Sequence, residues 1–357
     1  LIFGAILVIR GLTLPVGGKV IESPLHGLNF VWNPNLSGLT NPSIWLAAAG
    51  QIFFTLSVGM GSIHCYASYV GKKQDIALNA ASAGWMNEFV EVVLGGSLLI
   101  PIATAYLGLH VVQQDTAGGS GFGLAFLTLP SLFNNWGWFA PIAGAMWFGL
   151  LFFAGITSSL AMGQPILAFL EDEFGVRRTR SALAFGLTIF FLGFVAVWLY
   201  PGGSFDEFDF WTGTFALVVF ALGEAFVFAF VFGIDKGWAE ITRGADIAVP
   251  RIFRFLIKWV TPFFILLIFL GAVFKPADGD WLAAFKSLGT GGGWHLAPDS
   301  VIGKILHVGT HYVWFDAQGR ATPAMVQDLT RGLLLIVFLA CAWFVWKAWR
   351  LKERREA

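Results

Sequence analysis

Runs of apolar residues long enough to cross a bilayer constrain this chain more than any other feature of it. A hydrocarbon core takes about 20 residues of helix. Apolar blocks of that order lie near 43–70, 78–108, 141–170, 181–200, 209–234, 252–274 and 331–349, with a shorter one at 1–15. Membrane-barrel strands would alternate apolar and polar over about 10 residues, and these blocks do not. Composition agrees: 57% of the 357 residues are hydrophobic and 12% charged, where soluble domains carry about a quarter charged residues. The expectation is an all-α, polytopic membrane protein with about seven full spans and one partial span.

The formal net charge is zero, which offers nothing to nucleic acid or to an acidic partner. Cys65 and Cys341 both lie inside apolar blocks, where a thiol behaves as a small hydrophobe, so a disulfide framework is not expected. Residue 1 is Leu and LIFGAILVI is apolar from its first position, unlike a signal peptide with its charged opening. The chain reads as a fragment that begins inside a membrane helix.

Lys and Arg set the orientation. If the spans alternate sides, fifteen of the 22 basic residues fall on one side, including Lys72, Lys73, Arg243 and the tail from Lys347 to Arg355. The positive-inside rule then places the C-terminus in the cytoplasm of a cell-membrane protein. On the other side, residues 109–140 are too apolar for a solvated loop yet broken by Gly and Pro, and read as a segment folded back onto the protein. Residues 275–330 form a long Gly-rich loop holding His295, His307 and His311. Two-residue ligand spacings are absent, so solvent-exposed histidines are expected there in preference to a metal site.

Polar residues at membrane depth are costly and therefore candidates for function. Three groups stand out. Within FFTLSVGMGSIHCYASY, Thr55, Ser57, Gly59 and Gly61 crowd the middle of a block. An unwound centre would free backbone groups to bind ions and a zwitterion; taken alone, the segment reads better as an ordinary helix whose small residues pack on a neighbour. In NEFVE, Asn87 and Glu91 share a helical face; they suit a hard cation or a polar network between helices equally well. In AGITSSLAMGQP, Ala154, Thr157 and Ser158 fall at i, i+3 and i+4. Two hydroxyls and local carbonyls suit Na⁺ better than a divalent ion, with an interhelical hydrogen-bond face as the plainer alternative. Asp172 in FLEDEF, and Asp206 and Asp209 in FDEFDFW, lie at span edges. They read as solvated charges or as gate residues, although no basic partner is evident.

GQIFFTLSVGMGSIHCYASYV, NEFVEVVLGGSLLIP, FFAGITSSLAMGQPILAFLEDE, FDEFDFWTGT and FGIDKGWAEI together resemble the neurotransmitter:sodium symporter family, in its bacterial amino-acid-transporting branch. The likeness runs from Leu1 to about Lys275 and matches the family's sixth, seventh, eighth and tenth helices in order and spacing. It implies an inverted five-helix-repeat transporter fold. Residues 1–15 would end the fifth helix, 16–42 form an external loop, and 43–274 carry the sixth to eleventh helices with the complete second repeat. Residues 275–330 would be a long external loop, and 331–357 the last helix and a basic tail.

The resemblance places Phe54, Thr55, Ser57, Met60, Ser158 and Met162 in an amino-acid pocket. Thr55 and Asn87 would ligate one sodium, and Ala154, Thr157 and Ser158 a second. Asp209 would serve an outer gate, and Tyr69 and Asp172 an inner one. Glu91 stands where chloride-dependent relatives carry serine, which implies chloride independence. Met60 and Met162 make the pocket apolar and adaptable, suited to a neutral, hydrophobic amino acid. Sodium-coupled symport by alternating access follows, with no cofactor beyond the coupling ions and no transport by this fragment alone. A channel or regulatory subunit on the same bundle is the competing reading. A membrane enzyme is remoter, since the neighbours His64 and Cys65 point to different helix faces.

Overall fold

The computed structural model describes residues 1–34, 36, 39, 42–118, 124–309 and 312–356. Among them there is no strand, only isolated bridges such as Pro276 with Leu296. Helices account for the rest: α1 (Ile2–Leu12), α2 (Pro24–Trp32), α3 (Pro42–Thr55), α4 (Ser62–Ala67), α5 (Ile76–Leu107), α6 (Leu109–Gly118) and α7 (Leu129–Phe174). After these come α8 (Arg178–Trp198), α9 (Ser204–Thr242), α10 (Ile252–Val273), α11 (Trp281–Gly289), α12 (Val301–Ile305) and α13 (Pro323–Glu356). Six of them (α5, α7, α8, α9, α10 and α13) are long and apolar enough to cross a membrane. They match six of the seven apolar blocks. The block near 43–70 differs: it divides into α3 and α4, so the reading of it as an ordinary helix is corrected.

The spans wear their apolar side chains outward. On α8, Phe190 is 73% and Phe194 57% exposed, and Ser181 is its buried residue. Such a surface suits hydrocarbon, not water. Several spans tighten or widen along their length. π-Helical stretches run over Phe89–Gly95 in α5, Asp209–Ala216 and Val227–Gly233 in α9, and Leu256–Val260 in α10. π-Stretches are rare and favour functional sites.

The chain forms two compact units, Leu1–Leu36 with Ala77–Ala161, and Ser37–Ile76 with Met162–Ala357. In the first, α1 and α2 pack on the C-terminal half of α5. A Cβ on Gly27 would lie 2.9 Å from Pro101 Cα, so glycine there lets the two backbones touch. Helix α2 occupies what the sequence shows as loop; Ser23 caps it by accepting from the Leu25 N–H, with Pro24 at its first position. The apolar 109–140 segment does fold back, burying Leu129, Phe133 and Trp136 with Leu7 and Ile102. Trp136 donates to the Tyr106 hydroxyl at 2.9 Å and lies under Arg10. Glu22 accepts the Leu109 N–H at the start of α6 at 2.8 Å and pairs with His26. Those bonds hold its carboxyl below the usual carboxylate range.

In the second unit, α10 packs against α3 and α9, and the 275–330 segment, expected as loop, holds α11, α12 and the first residues of α13, which begins at Pro323 and not at 331. Asp280 and Ser300 cap α11 and α12. His295 is exposed. His307, expected to face solvent, instead lies 3.0 Å from Asp328 with its side chain 13% exposed, because α13 brings that carboxylate back onto the segment. His311 lies outside the described residues.

Candidate functional site

The break between α3 and α4 is written in backbone torsions. Gly59 and Gly61 take φ of +81° and +75°, and Ser57, which has a Cβ, takes +55°. Left-handed torsions end a right-handed helix, and glycine adopts them without steric cost. Among the described residues, the carbonyls of residues 56–60 accept no backbone hydrogen bond. At membrane depth such groups need partners other than water.

A neighbouring span holds the break in place. A Cβ on Gly59 would lie 2.6 Å from the Leu217 carbonyl oxygen and 2.9 Å from the Ala221 nitrogen of α9. Only glycine permits that approach. One turn further along α9, Glu224 accepts the Gly59 N–H at 3.1 Å, and its other oxygen lies 3.6 Å from His64 Nδ1. Sequence reading passed over Glu224. The signal was there: a lone acid in LVVFALGEAF, which in a span marks a functional candidate. A Cβ on Gly61 would lie 3.5 Å from the Pro165 ring of α7, three residues from Met162.

Two more expected residues meet at Gly213 in the π-stretch of α9. A Cβ there would contact the Phe54 ring at 3.4 Å and the Asp209 carboxylate at 3.2 Å. Phe54 from the expected pocket and Asp209 from the expected outer gate thus approach the same point. Thr55, Ser57, Met60 and Tyr69 share this unit, with Tyr69 exposed just beyond α4. Asp172 stands exposed near the end of α7.

Asn87, Glu91, Ala154, Thr157 and Ser158 belong to the other unit. Asn87 and Glu91 flank the point where α5 passes into its π-stretch, and both are partly buried and engaged in contacts. On α7, the Thr157 hydroxyl donates to the Phe153 and Ala154 carbonyls at 2.8 and 3.1 Å. With its proton committed to the backbone, the oxygen presents lone pairs outward, as a cation ligand must. Ala154, Thr157 and Ser158 lie exposed along one face.

The acidic FDEFDFW cluster has a basic partner after all, but for a residue the sequence reading did not single out. Glu207, not Asp206 or Asp209, is the buried acid. Arg331 donates to it twice, at 2.7 and 3.0 Å, and Trp211 Nε1 at 2.7 Å. Lys304 stands 3.8 Å away. The partner was invisible in sequence because it lies 124 residues along the chain.

Known proteins are similar to this chain. An uncharacterised sodium-dependent transporter of Methanocaldococcus jannaschii is 28% identical over 72% of this chain and 51% of its own length. A sodium-dependent nutrient amino acid transporter of Drosophila ananassae is 26% identical over 74% of this chain and 40% of its own. The chain therefore spans about half the length, or less, of these relatives. The crystal structure of MhsT with L-phenylalanine superposes with a TM-score of 0.63 and 28% identity, over 75% of this chain and 59% of that one. The all-α inverted-repeat fold expected from sequence is the fold of that neighbour. Residues 1–312 match the sodium:neurotransmitter symporter family, and the chain belongs to it.

Proposed function

We propose that this chain forms the larger part of the machinery for sodium-driven symport of a neutral, hydrophobic amino acid. The observation that carries the reading is the interruption at residues 56–61, whose carbonyls at 56–60 accept no backbone hydrogen bond among the described residues and whose Gly59 amide is bonded to Glu224. An interrupted helix within a bilayer offers backbone oxygens to a cation and amides to a carboxylate. Thr55 and Asn87 serve one sodium, and Ala154, Thr157 and Ser158 the other. Phe54, Thr55, Ser57, Met60, Ser158 and Met162 surround the solute. Asp209 closes the outer side; Tyr69 and Asp172 close the inner one. Glu91 supplies the negative charge that chloride brings in other transporters of this kind. The tail is cytoplasmic, in keeping with the Lys and Arg distribution.

The amino-acid–binding neighbour and the nutrient amino acid transporters support the substrate class. Because the chain spans about half the length, or less, of these relatives, residues 1–357 alone are proposed not to accumulate solute, the remaining ligands lying in the part not matched. The test is uptake of labelled phenylalanine or leucine into liposomes holding the gene's complete product, with and without a sodium gradient. Alanine at Thr55, Asn87 or Thr157 is expected to weaken sodium activation at least tenfold. An unchanged sodium requirement in all three variants would sink the proposal.

A further inference from the structure

An apolar cavity lies away from the break, where the segment after α10 folds beside that span. Helix α11 lies over the C-terminal part of α10 and encloses, with Trp45 of α3, a cavity of about 850 Å³. From α10 come Phe264, Leu267 and Phe274, and from α11 Phe285 and Leu288. Among the described residues no charged side chain lines it. Several of these walls are open rather than packed: Leu267 is 66% exposed, Phe285 61% and Leu288 51%. Side chains so disposed contribute full hydrophobic stabilisation only when another apolar group fills the space between them.

The rim is polar. Trp281 starts α11, and its indole nitrogen is shielded from solvent without a hydrogen-bond partner among the described residues. Its ring meets Trp294 edge-on at 5.9 Å, while Trp294 donates to the Phe274 carbonyl at 3.0 Å. Trp281 is thus fixed in place with its donor unspent, and a shielded N–H without an acceptor costs stability. Lys286 stands exposed on the same helix next to Phe285, and the Lys275–Asp299 pair closes the segment just past Phe274. Tryptophan and lysine at a span end are the groups that meet headgroups.

We propose that this cavity holds one phospholipid of the bilayer as an integral ligand. An acyl chain fills the space between α10 and α11. An ester carbonyl accepts the Trp281 N–H, and the phosphate lies toward Lys286. The lipid anchors the 275–330 segment onto α10. Three features point to a phospholipid over a free fatty acid. The lining is a flank of a membrane span, the orphaned donor wants a neutral acceptor, and the cation lies beyond it at the surface. The inference depends on the membrane placement and not on the transport reading.

The full chain, purified in mild detergent and exchanged repeatedly, is weighed by native mass spectrometry and its lipid extract analysed. One phospholipid per chain is expected to persist. Trp281→Phe keeps the ring and removes the donor, and should retain at least fivefold less. Leu267→Trp with Leu288→Trp fills the cavity and should retain none, with helix content by circular dichroism unchanged. If the double variant fails to fold, Trp281→Phe decides alone. The absence of retained phospholipid from the parent chain, equal retention by Trp281→Phe, or retention of free fatty acid in its place would each overturn the proposal.

Discussion

Two polar regions of the second unit solve the same problem in opposite ways. Around Glu207, the buried charges find partners among the described residues. Arg331 and Trp211 saturate the carboxylate, Arg331 also donates to the Lys304 carbonyl at 2.9 Å, and Asp328 accepts from Tyr312 and Trp314. Around residues 56–61, backbone carbonyls are left without backbone partners and the turns sit at left-handed torsions. The first region is closed and stabilises the fold. The second is strained at Ser57, and among the described residues only its Gly59 amide is given a side-chain partner, Glu224. A buried network with all members paired is rigid, whereas one lacking members is where a ligand belongs.

The largest expected effect breaks the closed region. Arg331→Ala leaves Glu207 buried without its main counter-charge and should cost about 3–5 kcal/mol of unfolding free energy in detergent. Replacing both, as Glu207→Leu with Arg331→Met, should recover most of that. A loss under about 1 kcal/mol in the single variant would show that the region is not closed in the sense argued.

Next comes the break itself. Gly59→Ala adds a Cβ at positive φ against the α9 backbone, costing about 2–3 kcal/mol from torsion and overpacking together. In the gene's complete product it should also weaken sodium binding more than tenfold, measured with labelled sodium. Arg331→Ala should spare sodium affinity in whatever fraction remains folded. That contrast separates scaffold from site.

Glu224→Gln sharpens the comparison. The amide still accepts the Gly59 N–H but without charge, so about 1 kcal/mol is expected to be lost, with a several-fold weaker sodium response. No change in either quantity would reduce Glu224 to a bystander.

The smallest effect concerns Glu22 in the first unit, a partly exposed acid whose carboxyl is held low by the Leu109 N–H and His26. A depressed folded value means that its stabilisation is present above the ordinary carboxylate pKa. It fades as pH falls through the folded value beneath. Glu22→Gln should therefore destabilise the fold slightly at pH 7, by under about 1 kcal/mol, read as a small drop in melting temperature. The gap should close in acid. A gap that widened with acidification would contradict the assigned direction.

How much of this was legible beforehand follows from the range of each interaction. Span positions are local: twenty apolar residues commit a segment to the bilayer whatever surrounds it, and six blocks became helices, α7 and α13 beginning 12 and 8 residues before their blocks. The glycines at 59 and 61 were legible as unusual, but one segment cannot say whether they pack or unwind. That was decided by α9, whose backbone at Leu217 and Ala221 leaves no room for a side chain. The π-stretches had no sequence signal, since one extra residue per turn is absorbed by neighbours and not by composition.

The sequence by itself determined the medium, the helices, the family motifs and hence the class of chemistry, because hydrophobic length and motif order are properties of a line. Only the tertiary structure decided which acid is spent and which is poised. Glu207 and Glu224 are both carboxylates on α9, the first in an acidic cluster and the second alone in an apolar stretch. One is saturated by an arginine 124 residues away, and the other turns to the amide of a broken helix 165 residues away. Partners at that distance are brought together by packing alone.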